Sequence, residues 1–499
     1  MKMNKIYKSL GLLLALSLFS SCYKDHSVNG DHPLAVVKVT EPIASVQTAA
    51  FGEVTVIKSP AYTITTGASV TPSYEWIVDG VVVSTEKDLS YSPTSYGKHD
   101  ARLRMYTPDG SYFYRFTIDV PFRYVDGLYV LASNEGKTIL SYLPGGEKTD
   151  AFDLDAFGRS NPTIDMTGDP QSMLFYRYVP GAGASRSYLG IALGLPTRYY
   201  RVSADSLKVL TPRISFTNPV DFSHASGNQA TVREYFISGA NVWEMERSAN
   251  VPAKKHDKYL SPVAPGYSLA SAIVNWRALT GTRISEGMAF FDNAGSNLLY
   301  MTLGSSITVK KVRTFTASAF PGGAPEETNP FEDMTLIDMK SAGEGNYTYN
   351  YTLLLLKRNS DSKYFVARLT AGDFAQSQNV DGATVSMVEF TEGTPTHLMP
   401  NLGGTAALVA TADKVYFYNM ANATATTHPA WISLPAGQTI ASMALTSDNR
   451  LFIGANGTGT GLVGSIYSYN VAGITPVLLK SEEGITGKIK QIVYRQFNN

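Results

Sequence analysis

Residues 404–420 (GTAALVATADKVYFYNM) hold two short runs of β-branched and aromatic residues that fold back on each other, and variants of this pattern recur from about residue 127 onward. Residues 406–411 read as one strand and 415–420 as its return. Ala412, Asp413 and Lys414 form the turn, with Asp413 where an unusual φ is expected. Repetition of one hairpin constrains a fold sharply. Each sheet must bury its faces against the next, and any unpaired edge must be closed or covered.

The hairpin candidates span 127–143, 173–202, 232–245, 288–303, 349–369, 405–420 and 442–471. Their spacing of roughly 35 to 65 residues is that of propeller blades rather than helical solenoids. The expectation is an all-β chain in which residues 123–499 form a β-propeller of seven blades. Six or eight blades are the alternatives, and a run of further sandwich domains is the rival architecture. No Pro/Ser linker divides the region, which argues against the rival. The last strand, 489–495, is expected to return to the first blade and close the ring. Composition agrees: 17% charged residues, with 42 Gly, 30 Tyr and 22 Phe, suits strands and tight turns better than long surface helices.

The N-terminus reads as an address. Lys2 and Lys5 precede an apolar run at 10–19 that is too short to span a bilayer, and Ser20, Ser21 and Cys22 follow. Cys22 is the single cysteine, so no intramolecular disulfide and no thiolate metal cluster can form. Its setting resembles a bacterial lipobox, with Phe19 in place of the commoner Leu; the alternative is a plain secretory signal. The resemblance implies a signal peptide over 1–21, acylation of Cys22 and attachment to a membrane through lipid rather than helix. Lys24 and Asp25 resemble the surface-export signal of lipoproteins in Gram-negative gut commensals. Tyr23 follows the cysteine where an inner-membrane retention signal would place Asp. The implied location is the outer membrane, facing the cell exterior, with 22–32 as a lipidated tether.

Residues 33–122 carry seven short strand signals separated by turns, the pattern of a β-sandwich. Asp79 and Gly80 mark a two-residue hairpin turn, and Trp76 is expected as the large buried side chain of a central strand rather than as a ligand contact. The run SYEWIVDGVVVSTEKDLSY, followed by GKHDARLRMYTPDGSYFYRFTIDV, resembles the PKD-like immunoglobulin-type module. With the lipobox before it and GLYVL at 127–131 after it, the chain resembles the PKD-like family of lipoproteins over its N-terminal quarter. That resemblance implies an accessory lipoprotein beside an outer-membrane nutrient-uptake system and carries no catalytic residue.

Catalytic patterns are sparse. His224, His256, His397 and His428 are far apart and none lies in an HExxH pattern, so neither metal nor cofactor is implied. Residues 292–297 (DNAGSN) are oxygen-rich but lack the alternating acids of a calcium loop, and read as a turn. No G-x-S-x-G elbow is present. A hydrolase would draw its carboxylate pair from Asp153, Asp155, Glu286, Asp292, Glu332 and Asp333. The Gly-rich stretch 454–464 precedes no helix, which removes a phosphate cradle. Lys+Arg and Asp+Glu balance at 42 each, so no overall field favours nucleic acid. Tyr199, Tyr200, Trp243, Trp276 and Trp431 are the ligand-binding candidates, as flat faces for sugar rings or peptide side chains; packing between blades is the competing role for each. The expected function is non-enzymatic: binding or scaffolding of a glycan or peptide, beside an outer-membrane transporter and companion lipoproteins. A hydrolase with its site at the propeller mouth and a cell-surface adhesion module are the alternatives.

Overall fold

The computed structural model describes residues 34–496 apart from 66–69, 179–185, 195–197, 211–213, 216–219, 223–233, 239–240, 246–253, 256–267, 281–282, 303–308, 317–325, 343–350, 371–383, 402–405 and 421–427. Cys22, Lys24 and Asp25 lie outside the described residues. The chain divides into two compact units, one ending at Phe122 and one running from Arg123. Both are built of strands, and no helix among the described residues is long and apolar enough to cross a membrane.

In the first unit a five-stranded sheet orders Val46–Thr48, Gly110–Val120, Gly97–Thr107, Ser73–Val78 and Val81–Ser84, and two two-stranded sheets accompany it. Alternation places the core. Tyr74, Trp76 and Val78 point inward from one strand, and Ala101, Leu103 and Met105 from its neighbour. Trp76 is 1% exposed, donates its indole N–H to the Glu86 carbonyl at 2.9 Å and meets Phe116 edge-on, so its role is core packing. Asp79 and Gly80 take φ of 49° and 83°, the left-handed pair that a two-residue hairpin needs to match strand twist. Val46–Thr48 and Leu89–Tyr91 carry no legible signal in the sequence, because three residues are too few to display alternation.

The second unit is a succession of antiparallel meanders. Six four-stranded sheets each run in chain order, and a three-stranded sheet joins β1 (Gly127–Asn134) to Lys137–Pro144 on one side and to the terminal strand on the other. The six sheets open with β2 (Asp169–Tyr178), β3 (Val220–Phe222), β4 (Leu269–Thr280), β5 (Met334–Ala342), β6 (His397–Pro400) and β7 (Thr439–Leu445). The terminal strand, β8 (Lys488–Arg495), takes the corresponding place in the three-stranded sheet. Each of these seven touches the next, and β8 touches β2, so β2 to β8 form a closed cycle. The arrangement is propeller-like. The strand expected to close the ring pairs antiparallel with β1.

A run of four leucines at 353–356 shows why these sheets stack. Leu353 and Leu355 face one neighbouring sheet, packing with Leu398 and Ala407, while Leu354 and Leu356 face the other, with Ala289 and Tyr300. The same division separates Leu408 and Ala410 from Ala407 and Val409, and Leu128 and Val130 from Tyr129 and Leu131. The period is still two; each face meets a different sheet. Each buried Leu or Val contributes about 1.5–3 kcal/mol, so the stability of this unit resides in the interfaces between successive sheets.

The hairpin at 404–420 forms, with strands Ala406–Ala410 and Lys414–Asn419. Its turn corrects one expectation: Asp413 is not among the positive-φ residues, which include Glu135, Ser296 and Asn449 in other turns. Ala412 has a Cβ that resists left-handed backbone and no side-chain amide to offset the cost, so the turn keeps ordinary dihedrals. It is closed by Thr411 N–H donating to the Lys414 carbonyl at 2.9 Å. One short helix, α1 (Ala156–Ser160), is capped by Asp155, whose carboxylate accepts from Gly158 N–H at 3.0 Å.

Candidate functional site

The inner strands surround a cavity, here called the channel. Residues of β2, β4, β5, β6, β7 and β8 wall a cavity of about 690 Å³, within the range of about 300–1,000 Å³ in which small-molecule sites fall.

An inner strand pairs with its own sheet along one edge and leaves the other edge open, so its free amides need partners. Side chains of neighbouring strands supply them. Asp338 Oδ2 on β5 accepts from Leu398 N–H on β6 at 3.0 Å. Ser442 Oγ on β7 accepts from Ile492 N–H on β8 at 3.1 Å. Gln491 Oε1 on β8 accepts from Met173 N–H on β2 at 2.6 Å. From an adjacent turn, Asn293 Oδ1 accepts from Leu336 N–H on β5 at 2.9 Å.

The inner strands also break register. β2 is bulged at Gln171, β5 at Ile337 and β7 at Ala441, while β4 is irregular between Leu269 and Ile273 and β8 skips Lys490 against β1. A bulge inserts a residue that belongs to neither face of the sheet and re-aims its side chain. Gln171, Ile337, Ala441 and Lys490 all line the cavity.

The charged groups of the wall are Asp338, Lys340, Lys490 and His397 among the described residues. Lys340 Nζ lies 3.2 Å from Asp338 Oδ1, which also accepts from Met339 N–H at 2.8 Å. With Leu398 on its other oxygen, the carboxylate is committed to the wall. Lys490 is exposed and has no carboxylate within ion-pairing distance among the described residues. His397 Nδ1 sits 2.9 Å from the Thr396 hydroxyl. Burial holds its imidazole below the ordinary value; Asp338 and the Ala441 carbonyl pull upward, and Lys340 and Lys490 add to the depression. His397 is therefore neutral near pH 7.

Three side-chain acceptors of this wall, on Asp338, Ser442 and Gln491, are engaged by strand amides. The Gln491 carboxamide nitrogen and the Ser442 hydroxyl hydrogen remain available beside two lysine ammonium groups.

The aromatic candidates fall elsewhere. Tyr199 and Tyr200 are 0% and 1% exposed, so neither ring presents a face to a ligand. Burial raises the Tyr199 hydroxyl far above its ordinary value, and the Tyr200 hydroxyl donates to the Asp165 carbonyl at 3.1 Å. Tyr200 packs in the core cluster with Phe157 and Tyr129, and Tyr199 follows the opposite face of the strand Arg198–Ser203 and is equally buried. Trp431 is half-buried, donates its indole N–H to the Ile474 carbonyl at 2.7 Å and rests against Phe417 at 5.3 Å, away from the channel wall. Trp243 and Trp276 stand on strands Asn241–Met245 and β4, and their side chains lie outside the described residues.

The carboxylates singled out in the sequence serve local structure. Asp153 is 1% exposed and is held by Arg159 at 2.9 Å and by the Tyr124 hydroxyl at 3.0 Å. Asp155 caps α1. Asp292 accepts from Ser268, Ala294 and Gly295 amides, the chemistry of a turn. Asp333 stands at φ 62° and accepts from Ser360 N–H at 3.0 Å, and Glu332 is exposed. The side chain of Glu286, like His224 and His256, lies outside the described residues. His428 packs against Tyr418 at 4.3 Å. No group of three or more metal-ligating side chains is found among the described residues.

No family model matches the chain, and no curated protein does. Among solved structures it is similar to a quinonprotein alcohol dehydrogenase-like protein from Bacteroides thetaiotaomicron, with TM-score 0.46 and 13% identity, covering 92% of this chain and 99% of that one. A functionally unknown protein from Desulfotomaculum acetoxidans matches with TM-score 0.43 and 11% identity, covering 73% of this chain and 98% of that one. The WD40 domain of SCAP from fission yeast matches with TM-score 0.33 and 9% identity, covering 60% and 62%. Identities this low pass nothing about ligand or activity to this chain.

Proposed function

We propose that the protein is a lipid-anchored binding component of an outer-membrane nutrient-uptake system, in which a PKD-like sandwich precedes a seven-bladed β-propeller that takes its ligand in the central channel. The observation that carries the binding reading is the channel wall: a cavity of about 690 Å³ in which Asp338, Ser442 and Gln491 are engaged by strand amides and Lys490 has no carboxylate partner among the described residues. The seven blades are supported by the closed cycle of seven inner strands. The PKD-like reading is supported by the five-stranded sheet around Trp76, and the anchor by the setting of Cys22 after Ser20 and Ser21.

Binding without turnover is favoured because Asp338 is already engaged by two backbone amides and Lys340, while Asp153, Asp155, Asp292 and Asp333 hold turns, a cap and a buried ion pair. An open channel buries limited ligand area, so a dissociation constant of about 1 µM to 1 mM is expected. Many anchored copies on one surface raise the effective affinity by avidity.

The test exposes the purified full chain to oligosaccharides, polysaccharides and peptides, and measures both binding and released product. Saturable binding with no product is expected. Product release that survives repurification and vanishes in Asp338→Asn would make the protein a hydrolase instead.

A further inference from the structure

We infer that the channel takes a small polyhydroxylated carboxylate, the chemical class of sugar acids, with its carboxylate held by Lys340 and Lys490 and its hydroxyls by Gln491 and Ser442. The inference rests on the channel being a binding site and adds the class of ligand.

Three observations carry it. The first is a pair of neutral donors. Asp338, Gln491 and Ser442 each have an oxygen engaged by β6, β2 and β8. The Gln491 carboxamide nitrogen and the Ser442 O–H are thereby positioned as donors toward the hydroxyl and carboxylate oxygens of a ligand.

The second is the charge sum. Lys340 and Lys490 are opposed by the single carboxylate of Asp338, and His397 is neutral, which leaves one positive charge among the described groups of the wall. One carboxylate balances it. A dianion would leave a negative charge uncompensated in a partly desolvated site, and a cation would be repelled.

The third is the placement of Lys490. It is the residue that β8 inserts out of register against β1, between Ile489 and Gln491. Its two neighbours are fixed: Asn456 exchanges two hydrogen bonds with the Ile489 backbone at 2.9 and 2.6 Å, and Gln491 is bound to Met173. The ammonium group is thus held at the channel by a rigid segment while remaining exposed and without a carboxylate partner among the described residues. The neutral donors beside it, an amide and a hydroxyl, match hydroxyl and ring oxygens rather than apolar surface.

The experiment is calorimetric titration of the full chain, at low salt and near-neutral pH, with D-glucuronate, D-glucose, D-glucosamine and inorganic phosphate. Glucuronate is expected to bind at least about tenfold tighter than glucose, and glucosamine not at all. Lys490→Gln and Lys340→Gln should each weaken glucuronate about tenfold, the loss of one charge-assisted bond, with far-UV circular dichroism and melting unchanged for the Lys490 variant. Equal binding of glucose and glucuronate, unaffected by Lys490→Gln, would overturn the sugar-acid inference and leave the binding site standing. Phosphate binding as tight as glucuronate would overturn it in favour of a simple anion site. Absence of binding by every titrant would overturn both the inference and the channel reading on which it rests.

Discussion

Replacing Arg495 with Met tests how the ring is closed. Arg495 is 2% exposed at the end of β8, and its Nη1 donates to the carbonyls of Tyr124 and Ala204 while Nη2 pairs with Asp205. Its guanidinium also lies 5.5 Å from the Phe175 ring centre. Methionine fills a similar volume with no donors. The Tyr129 hydroxyl, 2.9 Å from both carbonyls, has one hydrogen and serves only one of them at a time. One buried carbonyl is therefore orphaned, at a cost of about 1–3 kcal/mol. Asp205 keeps 23% side-chain exposure and turns to water, so losing its partner adds no more than about 1 kcal/mol. Together the loss is about 1–4 kcal/mol, against a typical total of about 5–15 kcal/mol. At about 2.1 cal/mol/K of unfolding entropy per residue, the unit from Arg123 to Asn499 changes stability by about 0.8 kcal/mol per degree. The expected drop in Tm is thus about 1–5 °C in differential scanning calorimetry. Arg495→Lys should fall between, because an ammonium cannot span two carbonyls and a carboxylate with a fixed fork. A Met variant melting within about 1 °C of wild type would refute the accounting.

Three further perturbations follow from the same geometry. A Cβ at Gly487 would overlap the Ser133 carbonyl oxygen of β1, so Gly487→Ala should destabilise by about 1–3 kcal/mol in urea unfolding; an unchanged midpoint would mean that β8 and β1 tolerate a wider spacing. The depressed pKa of His397 makes its contribution to stability present above the unfolded value of about 6.5 and lost as pH falls through the folded value. Urea midpoints between pH 7.5 and 5 should accordingly decline less in His397→Gln than in wild type, and parallel declines would count against a half-buried imidazole held neutral. Cys22→Ser should release the protein from the membrane fraction into buffer, and continued need for detergent would remove the lipid anchor.

The strands and their turns were legible in the sequence because alternation and turn residues are local. Residues 81–84 and 351–358 announce strands, and Asp79-Gly80 announces its turn through the φ that it must adopt. Ring closure was legible at 489–495 for a topological reason, since an apolar strand left at the end of a meander needs a partner. The channel was not. Its wall depends on which residue of each inner strand is extra, and period-two reading fails across a bulge. Lys490 and Gln491 are consecutive in sequence, and with Lys490 left out of the pairing with β1 the alternation is interrupted between Ile489 and Gln491. The aromatic residues misled for the opposite reason. Tyr199 and Tyr200 look like a platform, but a strand between two sheets buries both of its faces.

Each bulge has a further consequence, for how such a molecule changes over generations. A substitution at an ordinary strand position alters one of the two cores that the strand separates. Ala441 packs against the cluster around Phe452 and Ile492, but the other inserted residues, Gln171, Ile337 and Lys490, line the channel, and none of these three is packed in the buried clusters at the sheet interfaces. Exchanging them rewrites what the channel offers a visitor while the stacked sheets keep their contacts. The scaffold and its selectivity are then inherited separately, and a lineage can explore new ligands from these few positions without first accumulating surplus stability.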